Sequence, residues 1–176
     1  MLYTMNTALR DIYFYNARAL ATELRDGSIS EHRAVKHMIA AIIIGGIGFE
    51  IPITVTPEET NTGIFQFISF ILMFVITGVI SYYGVWLTQQ VNNKGDGKDY
   101  FLRFAVLTLP AGVQLLVLFL WVGLAIAVLS FALLSTLGGA GVILMFLIFY
   151  LAGIVFVIMF FTRMRNYIAI AAGVNE

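Results

Sequence analysis

Gln89-Gln90-Val91-Asn92-Asn93-Lys94-Gly95-Asp96-Gly97-Lys98-Asp99-Tyr100-Phe101-Leu102-Arg103 is the one extended polar segment after Thr62. Apolar sequence long enough to cross a bilayer lies on both sides of it. Three of the ten Lys and Arg residues sit in this stretch, so it holds its point of the chain to one side of a membrane. The rest of the chain can be counted outward from there.

Composition sets the class. Hydrophobic residues make up 60% of the chain and charged residues 11%, with a mean hydropathy of +0.93. Soluble domains average about 45–50% apolar and about 25% charged. A water-soluble core built from 176 residues cannot hide that much apolar surface, so the excess must face lipid. Runs such as Val142-Ile143-Leu144-Met145-Phe146-Leu147-Ile148-Phe149 do not alternate, which excludes a membrane barrel. Helices remain, because a segment in hydrocarbon must satisfy its own backbone hydrogen bonds. With no Cys, the chain has no disulfide, thiol chemistry or Cys-ligated metal. Nothing in it points to a cofactor.

The expected fold is an all-α integral membrane protein, a four-transmembrane-helix bundle behind an N-terminal amphipathic interfacial helix. The first 27 residues show no secretory signal pattern. Residues 6–25 read as a helix with Leu9, Tyr13, Ala17, Leu20 and Leu24 on one face. Two placements suit it: in the membrane interface, or docked on another protein or on the ends of the bundle. Asp26-Gly27 ends that helix, and Ser28 with Glu31 forms a capping-box pattern that opens the next. Residues 28–176 make the membrane domain, with spans at about 36–53, 64–87, 111–134 and 142–162. Pro110 is expected to divide the long apolar run at 104–137. The Gly-dense segment at 135–141 is expected to form a turn, and Arg163 and Arg165 to end the fourth span before an apolar tail.

Topology follows from charge. Arg10, Arg18, Arg25, Arg33 and Lys36 precede the first span, Lys94, Lys98 and Arg103 flank the middle loop, and Arg163 and Arg165 follow the fourth span. The other two connections carry no basic residue. Four spans with both termini in the cytoplasm satisfy the positive-inside rule, whereas three or five would strand a basic cluster outside.

The chemistry-bearing positions are few. The loop with Lys94, Asp96, Lys98, Asp99 and Arg103 is not an EF-hand, since Lys and Arg fall where ligands are required. It also lacks the spacing of a phosphate loop. It reads as a flexible cytoplasmic turn or a docking site for a cytoplasmic partner. His32 and His37 stand about 140° apart around a helix and cannot share a metal. Glu50, Gln66 and Gln114 are the candidate functional polar groups. Glu50 is either an interfacial carboxylate or part of an ion or proton path. Ala41, Gly45 and Gly48 share a face and are expected to let another helix approach closely.

The pattern from Asn93 to Phe104, with Pro110 following, resembles one in small multipass bacterial inner-membrane proteins of unknown function. That likeness implies a bacterial inner membrane and no activity. The length and four-span layout are also similar to immunity proteins against pore-forming colicins, with no shared motif. The expected function is non-enzymatic: helix packing with membrane partners, as an accessory subunit, assembly factor or immunity-type inhibitor. The alternative is an oligomeric small channel or carrier for ions or small solutes. The expected partners are the lipid bilayer and another membrane protein or a second copy, with no nucleic acid.

Overall fold

A computed structural model describes residues 12–49, 63–137 and 139–174. These form five helices and no strand: α1 Ala17–Arg25, α2 Glu31–Phe49, α3 Gly63–Lys94, α4 Tyr100–Leu137 and α5 Gly139–Ala171. Among the described residues, three stretches are long and apolar enough to cross a membrane, namely Ile71–Lys94, Tyr100–Leu129 and Leu147–Ala171, with mean hydropathies of 1.8, 2.5 and 2.2.

The first helix among the described residues begins at Ala17, inside the stretch 6–25 expected to be one helix. Residues 12–16 are not helical, and Asn16 caps α1 by accepting the Ala19 N–H at Oδ1, 3.1 Å away. Residues 1–11 lie outside the described part. Ala17, Leu20, Ala21 and Leu24 are buried on the face that packs against α4 and α5. Docking on the ends of the bundle, one of the placements expected for this segment, is thereby seen. The helix stops where Asp26-Gly27 implied: Gly27 adopts φ +66°, and the Ser28 N–H reaches back to the Glu23 carbonyl at 3.0 Å. Ser28 is therefore taken up in closing α1, its hydroxyl also donating to the Glu23 carbonyl at 3.3 Å. Ser30, not Ser28, caps α2, facing the Arg33 N–H with both its hydroxyl and its carbonyl.

The longer helices overrun their expected ends. α3 continues about two turns past residue 87 to Lys94, which shortens the polar connection to residues 95–99. Pro110 does not divide α4. It sits inside one continuous helix and is fully buried. A proline removes one backbone donor, and packed neighbours hold the helix together across the gap. The Gly-dense turn shrinks as well, since α4 runs to Leu137 and α5 begins at Gly139. The apolar tail after Arg165 is the last part of α5, ending in a Schellman turn. There Gly173 has φ +71°, Gly173 N–H donates to the Ile170 carbonyl at 3.2 Å, and Val174 N–H donates to the Ala169 carbonyl at 2.9 Å.

That tail stays helical because it is core. Met164, Ile168 and Ala171 are buried with Leu20 and Leu24 of α1 and Val106 and Leu107 of α4. The core thus lies at the end of the helices that carries the basic residues. Further along, the spans present Leu120, Trp121, Val128 and Phe131 of α4 and Phe74 of α3 outward. Such faces need an apolar surrounding. Neighbouring helices follow the order α2–α4–α5–α3, with α1 across α4 and α5.

Short connections make α3 and α4 antiparallel, and α4 and α5 likewise, so α3 and α5 run parallel. A Cβ on Gly84 would overlap the Phe161 ring, and one on Gly95 would overlap the Ala172 carbonyl. Both pairs are 77 residues apart, so the two helices keep one register over about three turns. Tight contact of this kind is what drives helices together in lipid, where no hydrophobic force separates them from solvent. Gly84→Val is expected to destabilise the fold by about 1–3 kcal/mol through overpacking. Gly123→Ala, at a helical site with open space around the new methyl, is expected to be neutral or stabilising by up to about 1 kcal/mol. Thermal unfolding of both variants in one detergent distinguishes them, and equal behaviour would mean that Phe161 is free to move aside.

Candidate functional site

Among the described residues, three clusters of polar side chains around the core at the basic end contain the positions of interest. The first is built on the loop between α3 and α4. Arg103 is only 4% exposed, and its guanidinium forks onto Asp96, with Nη1 2.5 Å from Oδ1 and Nη2 2.7 Å from Oδ2. Nη1 also donates to Asn92 Oδ1 at 2.9 Å, and Asn92 Nδ2 donates to the Lys98 carbonyl at 3.2 Å. The Gly97 N–H closes the turn onto the Asn92 carbonyl at 3.0 Å, with φ +67° at Gly97. The Asp96 N–H reaches the Ala172 carbonyl at 3.1 Å, which gives a carbonyl of the last helical turn of α5 a donor. The loop is therefore a folded element built around Arg103. Bidentate bonding by Arg103 lowers the Asp96 carboxyl from 3.8 to about 2.

The second cluster centres on Gln114 of α4. Its Nε2 donates to the Tyr15 carbonyl at 2.5 Å, while its Oε1 accepts from Arg163 Nη1 at 3.0 Å and from the Tyr167 hydroxyl at 2.8 Å. One amide thus joins the segment before α1 to α4 and α5. The third cluster joins that same segment to α2. The Tyr13 N–H donates to His37 Nε2 at 2.9 Å, so Nε2 carries the lone pair and Nδ1 carries the proton that faces the Arg33 carbonyl at 2.8 Å. The Tyr13 hydroxyl donates to Glu23 Oε1 at 2.9 Å, and Arg33 pairs with Glu23 Oε2 at 2.7 Å while lying 4.8 Å from the Tyr13 ring centroid.

The positions singled out in the sequence fall differently. Gln114 is bonded to Tyr15, Arg163 and Tyr167. Glu50 lies outside the described residues, as does the Gln66 side chain. Ala41 lines a groove of about 340 Å³ with Gly112 of α4 and Gly153 of α5, and α2 packs on α4. The surroundings of Gly45 and Gly48 lie outside the described side chains. Lys94 at the end of α3 and Lys98 and Asp99 on the loop are exposed, whereas Arg103 of α4 is buried. The hydroxyls of Thr108 and Thr162 donate to carbonyls of their own helices, each at 2.8 Å. Arg163 and Tyr167 were not singled out from the sequence as site residues. Their spacing of four on one helix face is the signal that could have paired them with Gln114.

Comparison with family models, with curated proteins and with solved structures finds no match to this chain. No residue role is carried over from a relative.

The Asp96 carboxyl titrates lower in the folded chain than its ordinary value of 3.8, so its stabilising contribution is complete above that value and is lost as the pH falls toward about 2. Wild-type protein is expected to lose part of its thermal stability across this acid window. Asp96→Asn is expected to lack that part of the slope and to be less stable at pH 7 by about 1.5–3 kcal/mol, the usual range for hydrogen bonds to charged groups. Melting curves from pH 7 to pH 2 measure both effects. Identical profiles for the two proteins would mean that Arg103 holds the loop without this carboxylate.

Proposed function

We propose that the chain is a multi-pass protein of a bacterial inner (cytoplasmic) membrane with four spans, α2 to α5, and both termini in the cytoplasm. We propose further that it works non-enzymatically, by packing its helices against membrane partners as an accessory subunit, assembly factor or immunity-type inhibitor. One observation carries this reading: apolar faces point outward along α3, α4 and α5 while the clustered polar side chains are turned onto one another at the basic end. A surface of that kind offers shape and apolar contact to lipid or to another helix. The row order α2–α4–α5–α3 leaves α2 and α3 at its two edges, each with an outer face for a partner.

A channel or carrier is the rival. It would rely on Glu50, Gln66 and Gln114, and Gln114 is already bonded to Tyr15, Arg163 and Tyr167. That engagement favours packing over transport.

Topology is tested in a chain with no native Cys. Asn61→Cys is expected to react with an impermeant reagent in intact cells, and Asn93→Cys, exposed near the end of α3, only after the membrane is opened. The reverse pattern would overturn the orientation. For function, native purification is expected to recover a stoichiometric membrane partner or a second copy. A lone monomer whose liposome conductance is abolished by Glu50→Gln would favour the channel instead.

A further inference from the structure

Along one side of the α3–α5 pair runs an open groove of about 280 Å³. Val79, Tyr83 and Leu87 of α3 and Ile158 and Thr162 of α5 form its walls, and Arg165 stands at its basic end. Val79, Leu87 and Ile158 are about half exposed there, so the groove is open to whatever surrounds the helices. Arg165 is exposed and has no hydrogen bond or ion pair among the described residues. Arg163, two residues earlier and pointing elsewhere, is bonded to Gln114. Gly84 also lines the groove, and its missing side chain lets Phe161 seat between the helices and holds the groove's two walls in register.

We propose that this groove is a binding site for an anionic phospholipid, with one acyl chain lying between α3 and α5 and the phosphate on Arg165. The inference rests on the membrane reading above. The groove lies between parallel helices, which are also parallel to lipid chains in a bilayer. Its cation sits at one end of the apolar wall, which the four-span reading puts at headgroup depth, and Tyr82, Tyr83 and Trp86 are exposed nearby, as in an interfacial aromatic belt. Lys94 lies two turns beyond Leu87 on the same stripe of α3 and adds positive potential. A guanidinium with no partner among the described residues can meet a phosphodiester with two parallel hydrogen bonds. A free phosphate would use Arg165 and leave the apolar wall bare, while a zwitterionic lipid of the same chains would fill the wall with less attraction at the headgroup.

The test uses delipidated protein in detergent, titrated separately with dioleoyl phosphatidylglycerol, dioleoyl phosphatidylcholine and inorganic phosphate, and read by thermal shift and native mass spectrometry. Phosphatidylglycerol is expected to bind and raise the melting temperature, phosphatidylcholine to bind about fivefold more weakly, and phosphate alone to do nothing. Arg165→Gln breaks no bond among the described residues, so its lipid-free melting temperature is expected to match wild type while its preference for phosphatidylglycerol disappears. Leu87→Trp, which fills the groove, is expected to weaken both lipids. Arg18→Gln, which removes one exposed charge from α1, is expected to change nothing. Retention of the preference in Arg165→Gln, an equal loss in Arg18→Gln, or protection by phosphate alone would each overturn the proposal. If the protein is extracted from membranes without detergent, the membrane reading itself fails. If it needs detergent yet shows no lipid preference, only this site fails.

Discussion

The fold depends on how Arg103 is satisfied. A guanidinium left unpaired at that degree of burial would cost about 3–5 kcal/mol, against about 0–1 kcal/mol for an exposed ion pair. Asp96 and Asn92 both turn inward to meet it, and this bends residues 95–99 into one conformation. The same bend points the Asp96 N–H at the Ala172 carbonyl, which pins the end of α5 to the loop between α3 and α4. Gly95 is needed at that contact because any side chain there would strike the Ala172 carbonyl. A single buried charge thereby sets the relative positions of three helices at the basic end.

The rest of the molecule is built in two zones. At the basic end, α1 closes the core with Leu20 and Leu24, and the Gln114 and His37 clusters hold the segment before α1 in place. Hydrogen bonds between membrane helices are worth only about 0.6 kcal/mol on average, so no single one of these fixes the fold. Their effect comes from joining elements that would otherwise meet through few contacts. Away from that end, close approach takes over, with Gly84 against Phe161 as the clearest instance. The spans there expose most of their apolar side chains outward, a surface suited to lipid or to another helix.

This division bears on where chemistry can occur. The hydroxyls of Thr108 and Thr162 are turned back onto their own helices, and Gln114 is consumed in joining three segments. Arg165 is exposed at the end of an apolar groove, and Lys94 is exposed two turns beyond Leu87, so both face the surroundings of the protein instead of its interior.

Composition determined that the chain is apolar enough to meet a membrane, and the non-alternating apolar runs determined that it does so as helices, which satisfy their own backbone hydrogen bonds. Local signals were equally legible where the cause was local: Gly27 ends α1 by adopting a positive φ that other residues resist. Legibility failed wherever a distant partner decided the outcome. Pro110 looks like a break, but the packed core on either side keeps α4 continuous. Arg165 looks like the end of the last span, yet α5 continues because Ile168 and Ala171 have Leu20 and Val106 to pack against. Arg103 looks like a charge held at headgroup level, and it becomes a buried anchor only once Asp96 and Asn92 are folded over it. Tertiary structure decides such cases because the free energy of a polar or apolar side chain depends on its partners, and those partners are brought near only by the fold.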